Sequence, residues 1–196
     1  MKALVALGVL ALILLAVGGW AVGVNNDLVT RDQAVKAQWA QVQTVYQRRA
    51  DLIPNLVETV KGFAAQERTV LEEVTRARAS ASQIRVTPEM VNDPQALQKF
   101  QEAQNQLSGA LGRLLVTVER YPDLKSNQNF LALQSQLEGT ENRIAVERRR
   151  YNETVRDFNT RLAVFPASLV ASVRGFKEKA FFEAAPGSEA APKVQF

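Results

Sequence analysis

Carboxylates are the main side chains in this sequence that could take part in catalysis, because the chain contains neither histidine nor cysteine. It therefore offers no imidazole for acid–base chemistry or metal binding and no thiolate nucleophile. Two acidic groups stand out, one formed by Glu67, Glu72 and Glu73 and the other by Glu138 and Glu141. Such groups can bind Mg²⁺ or Ca²⁺, but charges on long helices usually form a solvated surface. We therefore expect a protein that is not an enzyme and has no cofactor.

An apolar segment opens the chain. Lys2 is the only charged residue before Asn25, and residues 3–24 are all Ala, Leu, Val, Ile, Gly or Trp. As a helix they would extend about 33 Å, enough to cross the hydrocarbon core of a bilayer. We predict a single-pass transmembrane anchor over residues 1–26, and a cleaved signal peptide is the alternative. The residues expected to represent the lipid-embedded anchor are Ala3, Leu12, Leu15, Trp20 and Val24.

The charge distribution bears on orientation and on partners. Lys2 and the amino terminus place positive charge before the apolar segment, which favours a cytoplasmic N-terminus and a soluble part outside the cytoplasm. The net charge of +4 is spread along the 196 residues, and the longest basic run is Arg148-Arg149-Arg150. Nucleic-acid-binding proteins usually carry a concentrated basic stripe, so we expect no nucleic-acid partner.

Three segments show the alternating three- and four-residue apolar spacing that is typical of coiled-coil-like helices. The first predicted helix continues from the anchor to about residue 82, with a kink caused by Pro54. The second follows Asp93 as its N-cap and ends at Tyr121. The third follows Ser126 or Asn127 and ends before the proline that succeeds Phe165. The predicted fold is therefore all-α.

Short connections between long helices indicate antiparallel neighbours, so we predict an up-down-up bundle of three long helices over residues 27–183. A short C-terminal helix is expected over residues 167–183, with Gly175 as a point at which it could be interrupted, and residues 184–196 are expected to be extended or disordered. The first predicted helix is about twenty residues longer than the second, and its spare apolar face suggests a homo-oligomer. Candidate assembly contacts near the C-terminus are Phe176, Phe181 and Phe182.

Polar residues interrupt two of these apolar faces. Thr140 falls between the apolar positions of Leu137 and Ile144, and Arg49 occupies an apolar position of the first helix. A polar residue in such a position commonly fixes the register and the choice of partner helix. Binding of a ligand is the alternative. We assign this register role to Arg49, Glu138, Thr140, Glu141 and Arg143, with an ion pair expected from Arg49 to one of the two glutamates.

Three stretches resemble the LemA family. They are RRADLIPNLVETVKGF at 48–63, the segment at 107–125 that ends ERYPDLK, and LEGTENRIA at 137–145 with RRYN following at 149–152. The resemblance covers nearly the whole chain. It implies a bacterial membrane protein with an N-terminal transmembrane helix and an antiparallel bundle of long helices. Genes of the family often lie beside those of membrane metalloproteases, and the family offers no catalytic residues to assign here.

Two functions are compatible with these features. The first is a non-enzymatic scaffold, anchored in the bacterial cytoplasmic membrane by one helix, that self-assembles or organises membrane partners of the envelope. The alternative is an adaptor that regulates a membrane metalloprotease or another envelope complex as a single copy. A carboxylate metal protein is a third and less favoured interpretation.

Overall fold

A computed structural model describes residues 1–183, and within that range the chain is all-α, with no β-strand. The expected all-α class is confirmed. The tail predicted at 184–196 lies outside the described residues. The helices are α1 (Lys2–Phe63), α2 (Arg68–Gln83), α3 (Pro94–Val118), α4 (Pro122–Lys125), α5 (Gln128–Ala163) and α6 (Ala167–Arg174), with a 3₁₀ turn at Pro88–Asn92.

Helix α1 combines an exposed apolar part and a buried part in one uninterrupted element of 62 residues. Its apolar start contains an 18-residue window with a mean hydropathy of 2.5, and none of that window is buried in the protein. By length and composition this part of α1 can cross a membrane. The protein core begins at Val24 and Leu28, which are both buried.

The first helix ends at Phe63, and the prediction that it continues to about residue 82 was wrong. The chain reverses at Ala64, and α2 packs back along α1, where Arg78 Nε donates to the carbonyl oxygen of Ala50 at 2.9 Å. Apolar spacing persists across this turn because Leu71 and Val74 on α2 belong to the same buried cluster as α1. Heptad spacing alone therefore cannot reveal the reversal.

This extra hairpin changes the predicted bundle. The prediction of three long helices missed α2, and the apolar face expected to be spare on the first helix is instead covered inside the protein by α2 and α3. Because this face is already covered within the chain, it no longer supports the prediction of a homo-oligomer. Pro54 lies within α1, where it leaves the helix continuous.

Helices α3 and α5 begin at the predicted caps. Asp93 Oδ1 accepts hydrogen bonds from the backbone N–H groups of Gln95 at 3.0 Å and Ala96 at 3.1 Å. Asn127 Oδ1 accepts from the N–H of Phe130 at 3.1 Å. The cap at Asp93 is confirmed, and of the two candidates for the second cap, Ser126 and Asn127, the structure has Asn127. Helix α5 runs antiparallel to α1. The start of α5 lies beside the C-terminal end of α1, and the end of α5 lies beside residue 27.

The C-terminal helix is shorter than predicted. It ends at Arg174, and Gly175 adopts a left-handed conformation with φ of 73°, which glycine reaches without the steric cost of a Cβ. Residues 175–183, here named the C-terminal strap, then run without helical structure back along the bundle. A helix across this segment was expected, but the strap obtains its hydrogen bonds from neighbouring elements instead.

Candidate functional site

The C-terminal strap is held by side-chain amides that each bind both backbone groups of one strap residue. A carboxamide carries a donor and an acceptor, so it can pair with the N–H and C=O of an extended residue. The pairs, with their donor–acceptor distances, are Asn159 with Lys179 (2.9 and 3.0 Å), Asn152 with Phe182 (2.9 and 2.9 Å) and Gln101 with Glu183 (3.1 and 2.8 Å).

Two further bonds fix the centre of the strap. The N–H of Ala180 donates to the carbonyl oxygen of Val91 at 2.9 Å, and the hydroxyl of Tyr151 donates to the carbonyl oxygen of Ala180 at 3.0 Å. Burial raises the pKa of the Tyr151 hydroxyl, so this group remains a protonated donor. The strap therefore connects α5 to the 3₁₀ turn through its backbone.

An aromatic cluster lies beneath the strap. Phe182 is only 4% exposed, and its ring centroid lies 5.3 Å from that of Tyr151 and 5.9 Å from that of Trp39. The indole N–H of Trp39 donates to the carbonyl oxygen of Thr87 at 3.1 Å. The guanidinium of Arg148 lies over the Phe182 ring, 4.8 Å from its centroid. Of the three phenylalanines proposed as assembly contacts, Phe182 thus packs inside its own chain.

The other two phenylalanines differ in their surroundings. Phe176 is half-buried and its ring centroid lies 6.3 Å from that of Phe158. Phe181 is 44% exposed. Phe181 is therefore the one of the three whose side chain remains substantially open to solvent.

A buried ion pair secures the strap to α1. The ammonium of Lys179 lies 2.5 Å from a carboxylate oxygen of Asp32 and donates to Asn92 Oδ1 at 2.7 Å. Lys36 also pairs with Asp32, at 2.7 Å. Burial alone would raise the pKa of Asp32, but the hydrogen bonds from Lys179 and Lys36 outweigh it and hold that pKa below its usual value.

A second carboxylate, next to the apolar segment of α1, has its pKa lowered in the same way. Asp27 on α1 lies 2.6 Å from Arg161 on α5 and 2.9 Å from Arg31. The hydrogen bond from Arg161 is the main cause that lowers the pKa of Asp27. This ion pair ties the end of α5 to the first turn of α1 beyond the apolar segment.

Acid should weaken this end of the bundle. A carboxylate whose folded-state pKa is depressed stabilises the fold above its unfolded-state pKa, and that stability is lost as the pH falls through the folded-state pKa. We therefore expect the midpoint of thermal unfolding to fall as the pH is lowered from about 5 to below the ordinary carboxylate pKa of about 4. An Asp32→Asn variant should be less stable at pH 7 and should lose less on acidification. Circular dichroism of the detergent-solubilised chain measures both effects.

The matched control for this prediction is Asp123→Asn, because Asp123 is an exposed carboxylate at the distal end of the bundle. Its unfolding should keep the acid dependence of the unmodified protein. An Asp32→Asn variant with unchanged acid dependence would contradict the assignment of that dependence to Asp32.

Arg49 lies at the centre of the bundle, 1% exposed, and joins three helices. Its Nη1 donates to Glu141 Oε1 on α5 at 2.7 Å and to Ser108 Oγ on α3 at 2.8 Å. Its Nη2 donates to Gln104 Oε1 on α3. The guanidinium also lies 5.1 Å from the ring centroid of Tyr46. Arg49 therefore pairs with Glu141, one of the two glutamates considered for it.

The remaining residues proposed to set the register are placed differently. Glu138 is exposed and accepts a hydrogen bond from Gln134 at 3.0 Å, so it does not contact Arg49 in this network. Thr140 is buried, and its hydroxyl donates to the carbonyl oxygen of Gln136 at 2.7 Å. Arg143 is exposed. The structure therefore brings together Arg49 and Glu141, and leaves Glu138 and Arg143 at the surface.

The three glutamates of the first acidic group, Glu67, Glu72 and Glu73, do not share a common partner. Glu67 accepts hydrogen bonds from the hydroxyl of Tyr121 at 2.6 Å and from Arg120 at 3.0 Å. Glu73 pairs with Arg113, while Glu72 is exposed. Within residues 1–183, no group of three or more His, Cys, Asp or Glu side chains is arranged to hold a metal ion.

The residues predicted as membrane anchor lie on the exposed part of α1, with one exception. Val24 is buried, in a small cluster with Leu28, Ala167 and Ala171. It therefore belongs to the contact between α1 and α6 and does not face outward, unlike the other residues chosen to represent the lipid-embedded anchor. The reason is that α6 covers this side of α1 where the apolar segment ends. Ala3, Leu12, Leu15 and Trp20 are exposed.

An open cleft lies halfway along the bundle, between the middle of α1, the end of α2 with the connection that follows it, and α3. Its volume is about 1050 Å³. Its lining includes the rings of Tyr46 and Phe100 and the charged side chains of Arg48, Asp51 and Arg85. The Arg49 network lies next to it, since Gln104 also lines the cleft.

The LemA family model matches residues 38–196. The chain belongs to the LemA family. The matched region contains the Arg49 network, the cleft and the strap, and it begins after the apolar part of α1. No curated protein matches the chain. Membership of the family agrees with the resemblance carried by residues 48–63, and it assigns no reaction to this member of the family.

Sequence reasoning missed the amides that hold the strap. Asn152 and Asn159 each follow an apolar residue of α5 directly, namely Tyr151 and Phe158, so they stand at the edge of its buried face. A carboxamide at such an edge can reach a backbone that runs alongside the helix. This position at the edge of the buried face is the one feature of the sequence that indicates a contact with another segment. It can be interpreted so only when residues 175–183 are known not to be helical.

Proposed function

We propose that this LemA-family protein is a non-enzymatic scaffold anchored by a single helix in the bacterial cytoplasmic membrane, where it self-associates and organises membrane partners. The observation that carries the proposal is the continuity of α1. One helix contains both the exposed apolar segment and the residues buried at the centre of the bundle. The bundle is thus coupled to the anchor without a hinge, as a rigid support requires.

The dimensions of α1 support this proposal. The 39 residues from Asn25 to Phe63 correspond to about 58 Å of helix beyond the apolar segment. Helices α2, α3 and α5 pack along this length, and the Arg49 network holds α1 to α3 and α5. The protein can therefore present contacts at a fixed height above the membrane.

Exposed apolar side chains at the distal end support self-association. Phe63 ends α1, Val116 lies in the last turn of α3, and Leu131 lies in the first turn of α5. All three are exposed, at the end of the bundle farthest from the apolar segment. Exposed apolar groups at the same end of a bundle are candidates for a contact with another protein.

Anchoring and orientation can be tested by cysteine labelling, because the natural chain has no cysteine. We expect an Ala37→Cys variant, whose residue is exposed on α1 beyond the apolar segment, to react with a membrane-impermeant maleimide in intact spheroplasts, and a Lys2→Cys variant to react only after lysis. The protein should also stay with the membranes after an alkaline carbonate wash. Release into the wash would contradict the anchor, and labelling in the reverse order would contradict the orientation.

The cleft favours the alternative function, an adaptor that engages a membrane protease or another envelope protein as a single copy. Its aromatic and charged lining next to the Arg49 network offers a concave surface to such a partner. A photo-reactive residue in place of Gln47, which lines the cleft, should then cross-link one stoichiometric protein other than this chain. A photo-reactive residue in place of Glu102, an exposed residue of α3 outside the cleft lining, is the matched control.

A further inference from the structure

Helix α6 and the turn that follows it form a second apolar element beside the anchor. Ala167 and Ala171 bury one face of α6 against Val24 and Leu28 of α1. Beside that buried face, Leu169 is 59% exposed and Val173 is 87% exposed. Water-exposed side chains of this size, four residues apart on a short helix, form an apolar stripe that the protein itself leaves uncovered.

The position of α6 along α1 shows what would meet this stripe. Val173 lines a shared cleft with Ala21 and Val22, which lie in the last turns of the apolar segment. Arg174 Nε donates to Asn25 Oδ1 at 2.9 Å, where that segment gives way to polar residues. The end of α6 therefore lies level with the end of the apolar segment, at the height of a membrane surface if that segment spans a bilayer.

The charged side chains near the end of α6 agree with this position at a membrane surface. Arg174 and Lys177 flank the turn at Gly175, and both are exposed. Residues 162–177 contain no acidic side chain. Basic side chains at an interface can extend to phosphate groups while neighbouring apolar side chains reach the acyl chains.

From this geometry we propose that the tip of the bundle formed by Leu169, Val173 and the turn at Gly175 inserts into the membrane interface and contacts lipid directly. The proposal rests on the membrane anchoring proposed above. The protein would then meet the bilayer at two places, through the spanning part of α1 and through this tip. Since α6 is packed against α1, the two contacts would fix the tilt and rotation of the bundle relative to the membrane.

Site-directed spin labelling tests the proposal on the full chain, which needs no cysteine removal. Single cysteines replace Val173 at the end of α6, Leu10 within the apolar segment and Ala37 on α1 beyond that segment; all three residues are exposed, so labels should be tolerated. Each labelled protein is placed in nanodiscs that contain phosphatidylcholine and phosphatidylglycerol. Collision with oxygen reports lipid, and collision with a water-soluble nickel chelate reports solvent.

We expect the label at 173 to collide mainly with oxygen, at a depth of about 5–10 Å as for interfacial apolar groups. The label at 10 should lie deeper, and the label at 37 should collide mainly with the nickel chelate. A label at 173 that collides with the chelate as freely as the label at 37 would overturn the proposal, as would a label at 173 hidden from both reagents by another protein chain. A label at 10 that is open to the chelate would instead contradict the anchor itself.

Discussion

Replacing Arg49 with methionine should lower the free energy of unfolding by about 2–4 kcal/mol, because the variant leaves the acceptors around a buried guanidinium without their donor. Methionine retains much of the apolar volume, so the loss reports the hydrogen bonds more than the packing. Glu141 is 39% exposed on its side chain, so water can replace part of its lost contact. This partial exposure is why the expected loss lies below that for a fully buried pair. Denaturant unfolding of the full chain in detergent, followed by circular dichroism, measures the change.

The neighbouring Arg48→Met variant is the control, because Arg48 is exposed on the same helix. It should change the free energy of unfolding by no more than about 0.5 kcal/mol. A double-mutant cycle of Arg49→Met with Glu141→Gln should give a coupling energy of about 0.5–3 kcal/mol. Equal stability of the Arg48→Met and Arg49→Met variants would show that the network does not hold the helices together.

Replacing Phe182 with alanine should release the C-terminal strap. The side chain is 4% exposed within the aromatic cluster, and truncating a buried phenylalanine costs about 3–5 kcal/mol. Because the strap follows the last of the described helices and belongs to none of them, this cost should appear first as local detachment rather than as unfolding of the bundle. We expect hydrogen exchange at the amide of Ala180, which donates to Val91, to accelerate by at least about a hundredfold.

Phe181→Ala provides a matched control one residue away. Phe181 is 44% exposed, so its truncation should leave the exchange rate at Ala180 within a few-fold of that in the unmodified protein. If both variants accelerated exchange equally, the burial of Phe182 beneath the strap could not be what holds the strap in place. Slow exchange in α5 of both variants would show that the bundle itself remains folded.

The parts of the fold that could be predicted were those with a local chemical cause. Asp93 and Asn127 identify helix starts because their short side chains can bind the free N–H groups of the next turn. The reversal after Phe63 has no such signal, since neither proline nor glycine stands between it and α2 and the apolar spacing resumes at once. Antiparallel helices that share a core preserve the same spacing as one long helix, so the hairpin depends on tertiary contacts.

The strap was missed for a related reason. Apolar residues from Leu169 to Phe182 have spacings that a helix would satisfy, and only Gly175 suggests an end. The strap is extended because its backbone forms hydrogen bonds to residues of other elements, such as Asn152, Asn159 and Val91. The pairing of Arg49 with an acidic residue of α5 was predictable because both occupy or adjoin buried positions of antiparallel helices, whereas Gln104 and Ser108 on α3 gave no such indication.

The most direct test of the proposed scaffold is the composition of the native particle, measured by native mass spectrometry and electron microscopy of the full-length protein extracted from its own membranes. We expect a symmetric particle built from several copies of this chain. Serine substitutions at Phe63, Val116 and Leu131 together should reduce it to smaller species, whereas serine at the exposed Ala37 and Ala132 should not. A particle that contains one copy of this chain and one copy of a different protein would contradict self-association and would establish the adaptor function instead.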